Sequence, residues 1–184
     1  MQNDYPYLPE GRKFIYVPIT DPFMAETKRV TLAESTDRQH PTGAVIVRDG
    51  KILGAASNKS ALKSERLMKF HREVFCVRRF FKIPTGQKYW ICPGCASSKL
   101  HSEPRAIKAA QKKYGDISGA DLYHWGHWWC CKPCWDAMIA AGIRNVYFME
   151  GAKEQFQRGS GTSSHKYVRL IRRIMELRIQ RLKK

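Results

Sequence analysis

Apolar and polar positions change period several times along the chain, and each change marks an element. Residues 21–35 carry Phe23, Met24, Thr27, Val30 and Leu32 as a partial apolar face. Asp21 is placed to cap this helix and Pro22 suits its first turn. Residues 44–47 and 51–56 are short strand-forming runs joined by Arg48-Asp-Gly, a hairpin signal. Residues 62–81 hold a helix rich in Lys and Arg. Residues 82–100 read as a loop, with turn chemistry at Pro84-Thr-Gly86 and Cys92-Pro-Gly-Cys95. Behind Pro104, Ala106, Ile107, Ala109 and Ala110 give the apolar face of another helix. A strand follows at 120–125. A further helix runs through Trp135, Met138 and Ile139 to Gly142, and a strand at 145–149 closes the series. Strands alternating with helices predict an α/β fold of three layers, α/β/α, around a central mixed sheet.

The same pattern sets the organisation. Residues 1–20 are rich in Pro and Tyr and read as a loosely packed arm. Residues 21–156 form the domain, and the Gly/Ser-rich 157–164 a linker. Residues 165–184 read as a basic amphipathic helix, with an apolar stripe of Val168, Ile171, Met175, Ile179 and Leu182. That helix either packs its stripe on the domain with its charges in water, or meets nucleic acid or a second copy.

Composition narrows the setting. The chain has 184 residues, 43% of them hydrophobic, which is enough for one ordinary core. No apolar run would span a bilayer and the N-terminus has no secretory signature, so a cytoplasmic protein with no membrane partner is expected. Six cysteines gathered around C-x-x-C pairs read as reduced metal ligands rather than disulfides. The net charge of +17 makes nucleic acid the first partner to consider, against a plain solubility feature.

The chemistry concentrates in His101-Ser-Glu103 and, about thirty residues on, Cys131-Lys-Pro-Cys134. One His and two Cys fill three positions of a tetrahedral zinc and leave the fourth for water. Glu103, two residues from the ligand His, can move protons without binding the metal. The ordered pair of motifs is the mark of zinc nucleobase deaminases. A closed zinc knuckle is the rival reading, but it would need a fourth ligand and would have no use for Glu103. Cys130 is a second choice of ligand beside Cys131, whose spacing to Cys134 is the better one. His71, Cys76, Cys92 and Cys95 could hold a second metal, with His124 and His127 as rivals for its last ligand. Trp125, Trp128, Trp129 and Trp135 crowd the catalytic motif, and Trp128 and Trp129 are candidates to stack on a base.

These residues resemble the cytidine deaminase superfamily, and within it the deoxycytidylate (dCMP) deaminases. The likeness runs from about Asp21 to Gly151. Gly43 to Gly54 resembles the family's first hairpin. Cys76-Val-Arg-Arg with Ile83-Pro-Thr-Gly86 resembles a segment typical of dCMP deaminases, and Ala140 to Tyr147 the exit from the second Cys motif. Ser102, Cys130 and the long aromatic stretch His124-Trp-Gly-His-Trp-Trp129 depart from the pattern. The resemblance implies a zinc-dependent hydrolase that converts a cytosine nucleotide, dCMP first, to the uracil nucleotide. It also implies that Asn58 contacts the sugar and makes a structural second zinc credible. A homo-oligomer is expected. A polynucleotide cytosine or adenosine deaminase, a toxin-like deaminase domain and an inactive nucleic-acid-binding module of the same fold are the alternatives.

Overall fold

The computed structural model describes residues 6–37, 40–84, 87–95, 97–156, 173–175 and 179–180. Within them five strands form one sheet: β1 (Ile15–Val17), β2 (Gly43–Arg48), β3 (Lys51–Ser57), β4 (Asp121–Trp125) and β5 (Val146–Met149). Their order is β1-β5-β4-β2-β3. The sheet is mixed: β1 and β4 run parallel to β5, and β2 runs antiparallel to β3 and β4. The β2–β3 hairpin turns at Asp49 and Gly50, with φ of 52° and 71°, the two left-handed residues that a type I′ turn requires.

Helices cover both faces. α1 (Pro22–Glu34) is capped by the Asp21 carboxylate, which accepts from the Phe23 and Met24 amides at 2.9 Å. A Cβ at Gly43 would collide with Thr31 of α1, whereas one at Gly54 would lie 2.6 Å from the Ala110 amide of α4 (Ser102–Tyr114). Gly54 pairs with Ile46, three positions along β2 from Gly43, so the two glycines face opposite sides of the sheet. α1 and α4 therefore form the outer layers, and α5 (Lys132–Ala140) packs beside α4. The three-layer α/β/α fold is the one the sequence pattern predicts. The core between the layers includes Ala44, Ile46, Leu122, Trp135 and Phe148.

Three differences from the sequence reading are informative. The arm is not loose at its end, because Ile15–Val17 adds to the sheet edge against β5. Arg12 donates to the carbonyls of Ile143 and Arg144 at 2.9 and 2.7 Å, and Phe14 packs edge-on against Phe148. A parallel edge strand pairs only with distant sequence, so no local signal announces it. The 62–81 helix is two pieces, α2 (Glu65–Glu73) and α3 (Val77–Phe80), parted where the Val74 and Phe75 amides both turn back to the Phe70 carbonyl. The 82–100 loop contains 3-10 turns at Tyr89–Ile91 and Ser98–Leu100.

The short helix α6 (Ala152–Phe156) ends the continuous description. The linker 157–164 lies outside the described residues. Of the C-terminal helix only 173–175 and 179–180 are described; they are helical, with Ile174, Met175 and Ile179 exposed. Among the described residues no helix is long and apolar enough to cross a membrane.

Candidate active site

Two helix N-termini face each other across the site. His101 is the N-cap residue of α4 and Cys131 that of α5. Pro104 and Pro133 sit in the first turns, where a missing N–H costs nothing. His101 Nδ1 lies 3.3 Å from Cys134 Sγ and 3.6 Å from Cys131 Sγ, and the two sulfurs are 3.4 Å apart. The Cys134 thiol and the His101 imidazole draw the Cys131 thiol down to about 5, toward the thiolate that metals bind. Cys130 is adjacent in sequence but does not join this group. It sits with Glu103 and His124 instead.

Glu103 is buried beneath the helix start. Ser102 Oγ donates to its Oε2 at 3.1 Å, and the Cys130 thiol also bonds it. His124 Nε2 stands 3.8 Å from Oε1. His124 Nδ1 is 2.8 Å from the Gly43 carbonyl, which can only accept, so that nitrogen carries a proton and Nε2 is left facing the carboxylate. Burial pushes the Glu103 carboxyl up. Positive charge on the neighbouring His124 and His101 side chains outweighs it and draws the group down to about 2. The same carboxylate, after burial itself, raises the Cys130 thiol well above its usual range.

A cavity of about 310 Å³ opens onto these groups. His101, Glu103, Cys131 and His124 line it, and so do Asn58 and Trp129. Asn58 Oδ1 accepts from Ser35 Oγ at 2.6 Å and the Thr42 amide at 3.0 Å, and Nδ2 donates to the His40 carbonyl at 2.8 Å. One Nδ2 hydrogen remains beyond these bonds. Trp128 does not line the cavity; it is buried under Lys153, whose ammonium lies 5.8 Å from its ring. Trp125 and Trp135 are core residues.

A second group meets the same cavity. His71, Cys76, Cys92 and Cys95 place their donor atoms within 4.8 Å of one another. Cys76 Sγ is 3.9 Å from Cys92 Sγ and 3.8 Å from Cys95 Sγ, and His71 is 3.5 Å from Cys92. Of the two rivals, His124 is held at Glu103. His127 packs edge-on against Trp129, 5.1 Å between centroids, and burial lowers it to about 3. Neither belongs to this group.

Two arrangements at the site are not given by the spacing of any motif. Cys130 and His124 flank Glu103, and Arg78 lies 3.8 Å over the Tyr89 ring, which packs edge-on to His101 at 5.4 Å. His124 did leave a trace, as a polar residue among Leu122, Tyr123 and Trp125 in a buried strand, where it must find a partner.

The cytidine and deoxycytidylate deaminase zinc-binding region matches residues 20–150. The chain belongs to this family. No curated protein matches it significantly in sequence. Among solved structures it is similar to the dCMP deaminase of cyanophage S-TIM5 in complex with dCMP and dUMP, at 18% identity and a TM-score of 0.46, over 76% of this chain and 90% of that one. A tRNA deaminase that edits A to I at the wobble position gives 22% and 0.39, over 67% and 74% of the two chains. The guanine deaminase of Bacillus subtilis gives 17% and 0.42, over 72% and 66%.

This deaminase family takes zinc, and the donor sets fit it. Ligand bonds of about 2.1–2.3 Å set tetrahedral donors roughly 3.6–3.8 Å apart. The distances of 3.3–3.6 Å around His101 and 3.5–3.9 Å around Cys76 are close to that spacing. Three ligands leave a position open for chemistry, and four close a site into a structural one.

Proposed function

We propose that this deaminase acts hydrolytically on a cytosine nucleotide, with dCMP as the substrate, yielding dUMP and ammonia. The observation that carries the reading is Glu103, buried in the cavity wall beside the His101, Cys131 and Cys134 donor set. Zinc held by these three residues would supply a Lewis acid that makes water nucleophilic near neutral pH. Glu103 accepts a proton from the water that attacks C4 of cytosine and delivers it to N3. A second proton, passed by the same carboxylate to the departing amine, releases ammonia; the water oxygen stays on C4 as the uracil carbonyl. Ser102, Cys130 and His124 hold the carboxylate in place between the two transfers. The remaining Nδ2 hydrogen of Asn58 bonds a sugar hydroxyl, and Trp129 provides an aromatic wall for the base. Arg72, Arg78 and Arg79 line the same cavity and supply the positive field that a nucleotide phosphate needs. His71, Cys76, Cys92 and Cys95 would hold a second, structural zinc and so tie together the wall that carries these arginines.

Purified protein incubated with dCMP, dCTP, cytidine and cytosine-containing single-stranded DNA tests the reading, with uracil product measured in each. Turnover of dCMP above the others is expected. Product from none of the four, with zinc bound, would refute it.

A further inference from the structure

The tryptophans near the catalytic motif are buried, and the exposed one lies elsewhere. Trp90 is 77% exposed, in the 3-10 turn Tyr89–Ile91. Phe81 is 64% exposed and Phe70 51%. All three fall within one stretch of 21 residues, and single exposed apolar residues are ordinary where such clusters are not. The stretch is continuous in space as well. The Phe70 carbonyl accepts from the Phe75 amide, the Phe75 and Phe80 rings lie 5.5 Å apart, and Phe80 and Phe81 lie 5.1 Å apart. α3 packs against the turn that carries Trp90.

Charge on this face has one sign. Between residues 63 and 88 there are eight Lys and Arg against two Glu. Lys63, Arg66, Lys69, Lys82 and Lys88 are exposed. Arg72, Arg78 and Arg79 are half-buried and line the cavity. Positive charge thus runs from the outer face to the site. Tyr89, next to Trp90, lines the cavity and packs on His101, so the exposed indole stands beside the route inward.

We propose that this aromatic and basic face binds single-stranded nucleic acid beside the cavity. Stacking needs unpaired bases, and Trp90 and Phe81 are the most exposed rings of the stretch. The surrounding Lys and Arg would follow the phosphates. A second copy of the chain is a poorer occupant, because two such faces would bring like charges together. Strand binding here requires no turnover, so it stands or falls apart from the deamination reading.

The test uses full-length Glu103→Gln protein and a fluorescent strand of about 12 nucleotides that contains no cytosine. The strand should bind, more tightly than a duplex of the same length. Trp90→Ala should weaken binding by about fivefold to a hundredfold, as removal of one stacked base does. Lys82→Gln with Lys88→Gln should flatten the dependence of log affinity on log salt by about 0.7 for each phosphate no longer neutralised. In the background with Glu103 intact, Trp90→Ala should leave dCMP turnover and the melting temperature unchanged. No binding at low salt, or affinity and salt slope indifferent to these substitutions, would overturn the proposal. So would sedimentation showing an oligomer that dissociates on Trp90→Ala, which would make the face a self-interface.

Discussion

Glu103 is buried, and its neighbours stand where water otherwise would. Ser102, Cys130 and His124 surround it within the protein, and none of them belongs to the His101, Cys131 and Cys134 donor set. Glu103→Gln keeps shape and burial but cannot carry a proton. Zinc content and melting temperature should stay near wild type while kcat falls by at least about 10²–10⁴-fold. A drop of only a few fold would remove the residue from the chemistry. Cys130 is the subtler case. Cys130→Val removes a donor to the carboxylate without touching a metal ligand, so zinc should be retained and kcat should fall about tenfold, the effect of one hydrogen bond to a charged group. Cys130→Ser restores a donor and should restore most of the rate. Metal analysis beside kinetics separates this from Cys131→Ser, which should lower zinc content and stability together.

At the scale of elements, the site depends on how closely α4 lies on the sheet. Gly54 of β3 leaves no room for a side chain, because a Cβ there would sit 2.6 Å from the Ala110 amide and 2.9 Å from the Ala106 carbonyl. Both belong to the helix whose first turn carries Glu103. Gly54→Ala should therefore displace α4, cost on the order of 1–3 kcal/mol, and lower kcat with the melting temperature. Calorimetry and kinetics on one preparation check the pairing. A variant that melts normally would show that the close approach yields cheaply. α5 is placed by the same logic, since its Cys131 N-cap meets His101 only because α4 and α5 pack side by side.

At the scale of the whole molecule, two His/Cys groups among the described residues meet one cavity, which makes metal content a global property. Carefully prepared protein should carry close to two zinc equivalents per chain. Cys92→Ser or Cys95→Ser should reduce this toward one and keep part of the turnover. Chelation of both should lower the melting temperature far more, because ligand binding energy is also folding energy. Elemental analysis that finds a single equivalent would leave Cys92-Pro-Gly-Cys95 as a turn alone.

The sequence by itself determined the elements and the donors. Periodicity located α1, α4 and α5, the Asp49-Gly50 turn set the hairpin, and spacing selected His101, Glu103, Cys131 and Cys134, because each depends on residues close together in the chain. Tertiary structure decided the rest. Ile15–Val17 became a strand through pairing with residues about 130 positions away. Cys130 and His124 became neighbours of Glu103 because β2, β4 and α4 converge there. Burial, too, was decided by packing. The four tryptophans that crowd the motif went into the protein, and Trp90, which no pattern singled out, was left facing water. A side chain's exposure depends on what the rest of the fold lays over it, and no local stretch of sequence carries that.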